Sequence, residues 1–113
     1  MRAFSGFPAG KARKVSLPEA VFSELVPLID DLHELKVTLH VLWRLADQRG
    51  QAVRYLRQAD LASDTLLLAG LGPTPLAALE TALARAVERG TLLVAKEPAG
   101  SGEWLIFANT PRG

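Results

Sequence analysis

The stretch Thr74–Ala95, TPLAALETALARAVERGTLLVA, contains a whole helix, both of its ends and the start of a strand. Thr74 is a preferred N-cap residue type, and Pro75 suits the first helical position because its missing N–H would have no partner there. Apolar residues recur at steps of three and four, which is typical of a buried helix face: Leu76, Leu79, Leu83 and Val87. Since Gly90 is a typical C-cap, the sequence predicts a helix over 75–89 and a strand over 91–95.

A β-hairpin is predicted directly after this helix. The loop 98–102, PAGSG, is rich in turn-forming residues, and the run 103–108, EWLIFA, has the composition of a returning strand. A shorter β-favouring run, VRYLR at 53–57, precedes the helix and could complete a three-stranded sheet. Between this run and the helix over 75–89 we predict a short helix over 58–63. Residues 64–68 continue it or begin another turn.

Two further helices are predicted towards the N-terminus. Ser16 and Glu19 have the spacing of a capping box, and the first helix starts there. Pro27 should kink or break it near Val26, because an internal proline removes one hydrogen bond and clashes with the preceding turn. A second helix runs over 34–48, with Gly50 as its cap. Its predicted face is broad: Leu35, Leu39, Leu42 and Ala46, widened by Val37, Val41, Trp43 and Leu45.

The order of these elements defines the expected architecture. A helix–turn–helix whose last helix leads through a glycine into a hairpin is the winged-helix arrangement. We therefore predict an α+β, mostly α fold: a winged helix-turn-helix with an extra N-terminal helix and a C-terminal β-hairpin wing. Residues 1–15 are expected to form an N-terminal arm and 16–110 the domain. Residues 111–113 are expected to begin a tail or linker of a longer natural chain.

Composition excludes several classes of protein. The chain has 113 residues, is 49% hydrophobic and contains no cysteine, which argues against disorder, disulfides and thiolate chemistry. Its net charge of +1 conceals a basic block at 1–14, an acidic block at 15–34 and a second basic block at 35–57. No apolar run is long enough to span a bilayer and no secretory signal is recognisable, so we expect a cytoplasmic protein without membrane contact.

No catalytic or ligand-binding motif is complete. Gly10-Lys11 lacks the earlier glycine and the following Ser or Thr of a phosphate loop. His33 and His40 would lie about 10 Å apart along a helix, too far to share one metal ion. No nucleophile has a plausible neighbouring base. We therefore expect no enzymatic activity, cofactor, metal or small-molecule substrate.

The fold class raises the question of DNA contact. The N-terminal half of the helix over 75–89 has no Arg, Lys, Asn or Gln, the residues that read guanine and adenine edges. Its outward positions are predicted to be Ala77, Ala78, Thr81, Ala82, Arg85, Glu88 and Arg89. Sequence-specific readout is therefore disfavoured, while nonspecific phosphate contact stays open. Its candidates are Arg54, Arg57, Arg85, Arg89 and Lys96, with Lys11, Arg13 and Lys14 on the arm.

Protein contact is the other interpretation. Phe4 and Phe7 are unusual in a free tail, and we expect them to dock on this chain or on a neighbour. Alternate residues of an edge strand face opposite sides, so the run Trp104–Phe107 should leave apolar surface for a partner. The interface candidates are Phe4, Phe7, Trp104 and Ile106. The predicted partners are a second copy of the chain and other proteins.

A family resemblance gives these expectations a context. The runs Val15-Ser16-Leu17-Pro18-Glu19, Phe22, Leu25, Pro27-Leu28-Ile29 and Leu35-Lys36-Val37, together with Leu79–Leu93, resemble the N-terminal domain of DnaD-like bacterial replication initiation proteins. The likeness covers most of residues 15–110 and consists of apolar patterns. It implies a winged-helix module for self-association and scaffolding in primosome assembly, with other replication proteins as partners. The alternative is a DNA-binding winged-helix transcriptional regulator.

Overall fold

A computed structural model of the chain describes residues 2–10, 12–48, 50–98, 100 and 102–110. In chain order the elements are a π-helical turn at Val21–Leu25, a 3-10 turn at Val26–Leu28, α1 at Leu32–Ala46, β1 at Leu56–Arg57, α2 at Gln58–Ala62, α3 at Thr65–Leu68, α4 at Pro75–Arg89, β2 at Leu92–Lys96 and β3 at Trp104–Ala108. Helices account for 46% of the described residues. The fold is therefore α+β with a small antiparallel sheet.

The predicted helix over 75–89 is confirmed at both ends. Thr74 is the N-cap of α4, Pro75 is its first residue, and Gly90 is the C-cap with φ of 91°. At such a positive φ a Cβ atom would be strained, so glycine is the residue that ends the helix there. The chain can then reverse directly into β2.

The predicted hairpin and three-stranded sheet are also confirmed. β2 and β3 pair antiparallel from Leu92↔Ala108 to Lys96↔Trp104, and the strand order is β1-β3-β2. β1 is shorter than the predicted 53–57. The reason is the side-chain amide of Gln48, whose Nε2 donates to Tyr55 O at 2.7 Å and whose Oε1 accepts from Tyr55 N at 3.1 Å. The backbone of Tyr55 is therefore satisfied by a side chain rather than by β3.

Helix α1 begins and ends two residues earlier than predicted. Asp31 is its N-cap, since the carboxylate accepts from Glu34 N at 2.9 Å. The helix ends at Ala46, so Gly50, which has a positive φ of 86°, shapes the following connection and does not cap the helix.

The buried face of α1 agrees only in part with the prediction. Its buried residues are Glu34, Val37, Thr38, Val41 and Leu45, of which Val37, Val41 and Leu45 were predicted to widen the face. The predicted centre of the face, Leu35, Leu39, Leu42 and Ala46, is half-buried instead. The buried face packs against α4, whose buried positions include Leu79 and Ala82. Ala82 was predicted to point outward, and that prediction is wrong. The core joins both helices to residues of every strand, among them Leu56, Leu92 and Ile106.

The N-terminal segment, residues 16–28, is less regular than the predicted helix. The first helical turns accept at Pro18 O and Glu19 O, and Ala20 rather than Ser16 is the N-cap of the π-helical turn, so the predicted capping box is wrong. Val26 N donates to Val21 O, closing a wide π turn, and Ile29 N donates to Val26 O at 3.1 Å, closing a tight 3-10 turn. Pro27 lies in the first turn of this 3-10 element, where its missing N–H removes no bond. The predicted break near Val26 is thus confirmed.

Candidate functional site

The basic residues predicted to contact DNA lie on different elements. Arg57 lies in β1, Arg54 precedes it and Arg85 lies on α4; all three are exposed. Lys96 ends β2, with its Nζ 5.5 Å from the centroid of the Trp104 ring, a cation–π contact. On the arm, Lys14 is exposed, Arg13 pairs with Asp47 at 2.5 Å, and Lys11 lies outside the described residues.

Arg89 is held inside the chain. Its Nε and Nη2 donate to Glu34 Oε2 and Oε1 at 2.6 and 3.0 Å, and its Nη1 donates to Leu28 O at 2.8 Å. Glu34 is 0% exposed, so this bidentate pair neutralises a buried carboxylate. The hydrogen bond to Glu34 raises the pKa of Arg89. Because the guanidinium is already committed, we do not retain Arg89 among the DNA-contact candidates.

The exposed surface of α4 has little capacity to read bases. Towards its N-terminus it presents Leu76, Ala77, Glu80 and Thr81, and further along Arg85. Leu76 was predicted on the buried face of the helix, and that prediction is wrong. Glu80 would repel phosphate, while leucine and alanine offer no hydrogen-bonding group to a guanine or adenine edge. The surface that a recognition helix would insert into a groove is thus mainly apolar and small.

The arm carries an exposed aromatic pair. The rings of Phe4 and Phe7 pack edge to face with centroids 5.0 Å apart, yet the residues remain 70% and 90% exposed. Exposed apolar groups of this size, placed together, are typical of surfaces that meet a partner. The expectation that both rings dock on another surface stays a prediction.

The two wing candidates have different environments. Ile106 is 1% exposed and belongs to the core, so it is not available as an interface residue. Trp104 is 42% exposed at the strand end, beyond the core. By the alternation of the strand, Leu105 and Phe107 face the other side of the sheet, where the ring centroid of Phe107 lies 6.0 Å from that of Tyr55. The partly uncovered side of β3 is therefore formed by Leu105 and Phe107.

Phe107 also lines a wide cleft between described residues, which we call the N-terminal cleft. The cleft has a volume of about 740 Å³. Its walls are the N-terminal segment, the end of α1, the connection 51–54, the turn from α4 into β2 at Arg89–Thr91, and the end of β3. Most of its side chains are apolar, including Leu17, Val21, Leu25, Leu42, Leu45 and Val53. A cleft of this size and composition can accept one or two large apolar side chains.

A second polar cluster links α1 to the start of α3. His40 Nε2 lies 2.7 Å from Asp64 Oδ2, Arg44 Nη1 lies 3.5 Å from the same oxygen, and Asp64 Oδ1 accepts from Leu67 N at 3.2 Å. Burial favours the neutral acid, but these hydrogen bonds and positive charges outweigh it and lower the pKa of Asp64. The cluster fixes α3 against α1 and caps it.

Two further kinds of feature are absent from the part of the chain that the structure describes. There, no group of three or more histidine, aspartate or glutamate side chains is arranged to hold a metal ion. None of the helices described combines the length and the apolar character that crossing a membrane requires.

Sequence reasoning missed the Glu34–Arg89 pair and the N-terminal cleft. A signal for the pair was present, because Glu34 is in register with the apolar positions Val37, Val41 and Leu45 of α1. A carboxylate within an apolar stripe indicates a buried ion pair. The cleft had no local signal, since its walls come from five separate parts of the chain.

Comparison with known proteins adds no relative: no family model, no curated protein and no solved structure matches this chain.

Proposed function

We propose that this chain is a non-enzymatic winged-helix module that self-associates and binds other proteins as a scaffold. The order of elements supports the winged-helix interpretation: a short strand, two short helices, α4 in the position of a recognition helix, and the β2–β3 hairpin as the wing. In this interpretation α1 is the long helix that packs across α4.

One observation carries the preference for protein partners. The exposed N-terminal half of α4 presents Leu76, Ala77, Glu80 and Thr81, where a DNA reader would present arginine, lysine, asparagine or glutamine. Uncovered apolar features lie elsewhere, at the aromatic arm and the N-terminal cleft. Both features suit contact with a protein surface.

The resemblance to DnaD-like proteins supports a setting for this activity. It concerns the N-terminal segment, the start of α1, and the stretch from α4 into β2. We therefore propose replication initiation or primosome assembly as the process, with other replication proteins as partners.

Sedimentation velocity over a range of micromolar concentrations tests self-association. We expect a reversible shift from monomer to dimer or higher oligomer as the concentration rises. A strict monomer at high micromolar concentration would contradict the proposal. Because no cysteine is present, the same result is expected with and without reductant.

A second candidate function, nonspecific DNA contact, is favoured by the exposed cations Arg54, Arg57, Arg85 and Lys96. A duplex titration at two salt concentrations separates the two functions. Phosphate contacts strengthen steeply as salt is lowered. If the chain binds proteins and not DNA, affinity stays undetectable at low salt; tight, strongly salt-dependent binding would favour the DNA-binding regulator instead.

A further inference from the structure

The arm leaves the domain at the edge of the N-terminal cleft. Arg13 is fixed by its ion pair with Asp47, the residue that follows Ala46 at the end of α1, and Ala46 lines the cleft. The first lining residue of the cleft is Ser16, so residues 2–10 do not occupy the cleft of their own chain. An extended arm of about ten residues spans roughly 30 Å, enough to reach a neighbouring molecule.

Charge is complementary between the arm and the N-terminal segment, which forms one wall of the cleft, while Arg54 and Arg89 lie on other walls. The basic block at 1–14 contains four positive residues and no acid, whereas the block 15–34 contains five acids and no lysine or arginine. Some of these acids are used internally, as Glu34 is by Arg89. Glu19 and Glu24 remain exposed on the N-terminal segment, where an incoming Arg2 beside Phe4 would meet them.

The area available is that of a stable dimer. A phenylalanine side chain buries about 150–250 Å² when it is enclosed. Two rings from each of two arms would therefore remove about 600–1,000 Å² from water, and the cleft walls would add a smaller area. The total, on the order of 1,100–1,500 Å², lies in the lower part of the range of specific protein–protein interfaces. A single arm folded back on its own chain would bury half of this.

We propose that two copies of this chain exchange arms, each inserting Phe4 and Phe7 into the N-terminal cleft of the other. The inference rests on the proposed self-association and specifies its contact. The cleft supplies the apolar surface that the exposed aromatic pair lacks, and the ion pair of Arg13 with Asp47 holds the root of each arm in place. The dimer is then symmetric, because each copy contributes one arm and one cleft.

The test uses sedimentation velocity on the full chain with two variants and two controls. Phe4→Ala/Phe7→Ala removes the inserted rings, and Val53→Glu places a charge in the cleft at an exposed position. Phe22→Ala removes a different exposed phenyl group, and Leu66→Glu adds the same charge at an exposed site on α3. All five positions are outside the core, and circular dichroism confirms that each variant is folded.

The expected result is that either cleft or arm variant weakens dimerisation by about 100-fold or more, as loss of aromatic anchors at an interface does. The two controls should dimerise like the original chain. The Val53→Glu chain has an intact arm, and the Phe4→Ala/Phe7→Ala chain has an intact cleft. Mixing them should restore one contact between an arm and a cleft. Native mass spectrometry should then detect a heterodimer, although neither variant forms a homodimer.

The outcomes separate the two proposals. A chain that dimerises as strongly after Phe4→Ala/Phe7→Ala as before would overturn arm exchange and leave the scaffold function standing. A parent chain that stays monomeric would overturn both self-association and arm exchange. The cleft would then have to bind another protein or the chain's own arm. Equal loss of dimer in Phe22→Ala would also overturn arm exchange, because the effect would not be specific to the inserted rings.

Discussion

Replacing Ile106 with alanine tests the assignment of the wing strand to the core. The side chain is 1% exposed and faces Leu56 and Val94 across the sheet. The substitution removes about three methyl or methylene groups, each worth about 0.8 kcal/mol of transfer free energy. The cavity left in a core that cannot collapse fully adds to this about 1 kcal/mol. We therefore expect the free energy of unfolding to fall by about 3–4 kcal/mol.

Urea denaturation at neutral pH measures this loss, with Leu66→Ala as the control. Leu66 is an exposed aliphatic residue, so its truncation is expected to cost less than about 1 kcal/mol. In a thermal melt, Ile106→Ala should lower the midpoint by more than about 10 °C. A loss of under about 1 kcal/mol accompanied by weaker self-association would refute the reasoning, because it would make Ile106 an interface residue, as the sequence had suggested.

Three further substitutions test individual contacts. Asp64→Asn should destabilise the chain by about 1–2 kcal/mol at neutral pH, because the bond to His40 loses its charge. Folding lowers the pKa of Asp64 below its ordinary value of 3.8, so this stabilisation is complete above that pH and is lost as the pH falls through the folded pKa. In urea titrations the free energy of unfolding of the parent chain should therefore be lower near pH 3 than at neutral pH. The difference in this free energy between parent and variant should shrink at the lower pH. Thr38→Val should raise the free energy of unfolding by about 1 kcal/mol, since the buried hydroxyl finds no hydrogen-bond partner among the described residues; an unchanged urea midpoint would contradict this. Gly90→Ala should cost about 1 kcal/mol through its positive φ, whereas Gly70→Ala, in ordinary backbone geometry, should be close to neutral in the same thermal melts.

Local signals explain which parts of the fold could be predicted from the sequence. The ends of α4 follow from Thr74, Pro75 and Gly90, whose conformational preferences act within a few residues. The hairpin follows in the same way from a glycine-rich loop between two apolar runs. These elements need no knowledge of distant contacts, and both were predicted correctly.

Helix α1 shows where local signals compete. Several residues before it could serve as caps, and the choice of Asp31 moves the helix by two residues. The centre of its buried face was misassigned because all sides of the helix carry apolar residues, so the pattern alone does not single out one face. The position of α4 selects Val37 and Val41 over Leu35 and Leu39.

The candidate site depends on non-local packing, so little of it could be predicted. Arg89 was assigned to a DNA-facing row because it lies on α4, yet its partner Glu34 is 55 residues away in the sequence. Phe4 and Phe7 could be recognised as unusual from sequence alone. The cleft that we propose for them arises only when the N-terminal segment, α1 and β3 come together.

The position of β2 has a consequence for handling the protein. In the sheet built by the described residues β2 lies at the edge, and its consecutive residues Leu93 and Val94 are exposed. An uncovered edge with β-branched and aliphatic side chains can template the addition of a strand from another molecule. Lys96, at the end of the strand, is a charged gatekeeper residue that opposes this strand addition. We therefore expect slow fibrillar aggregation on storage to begin at this edge, and to accelerate where high salt screens that lysine.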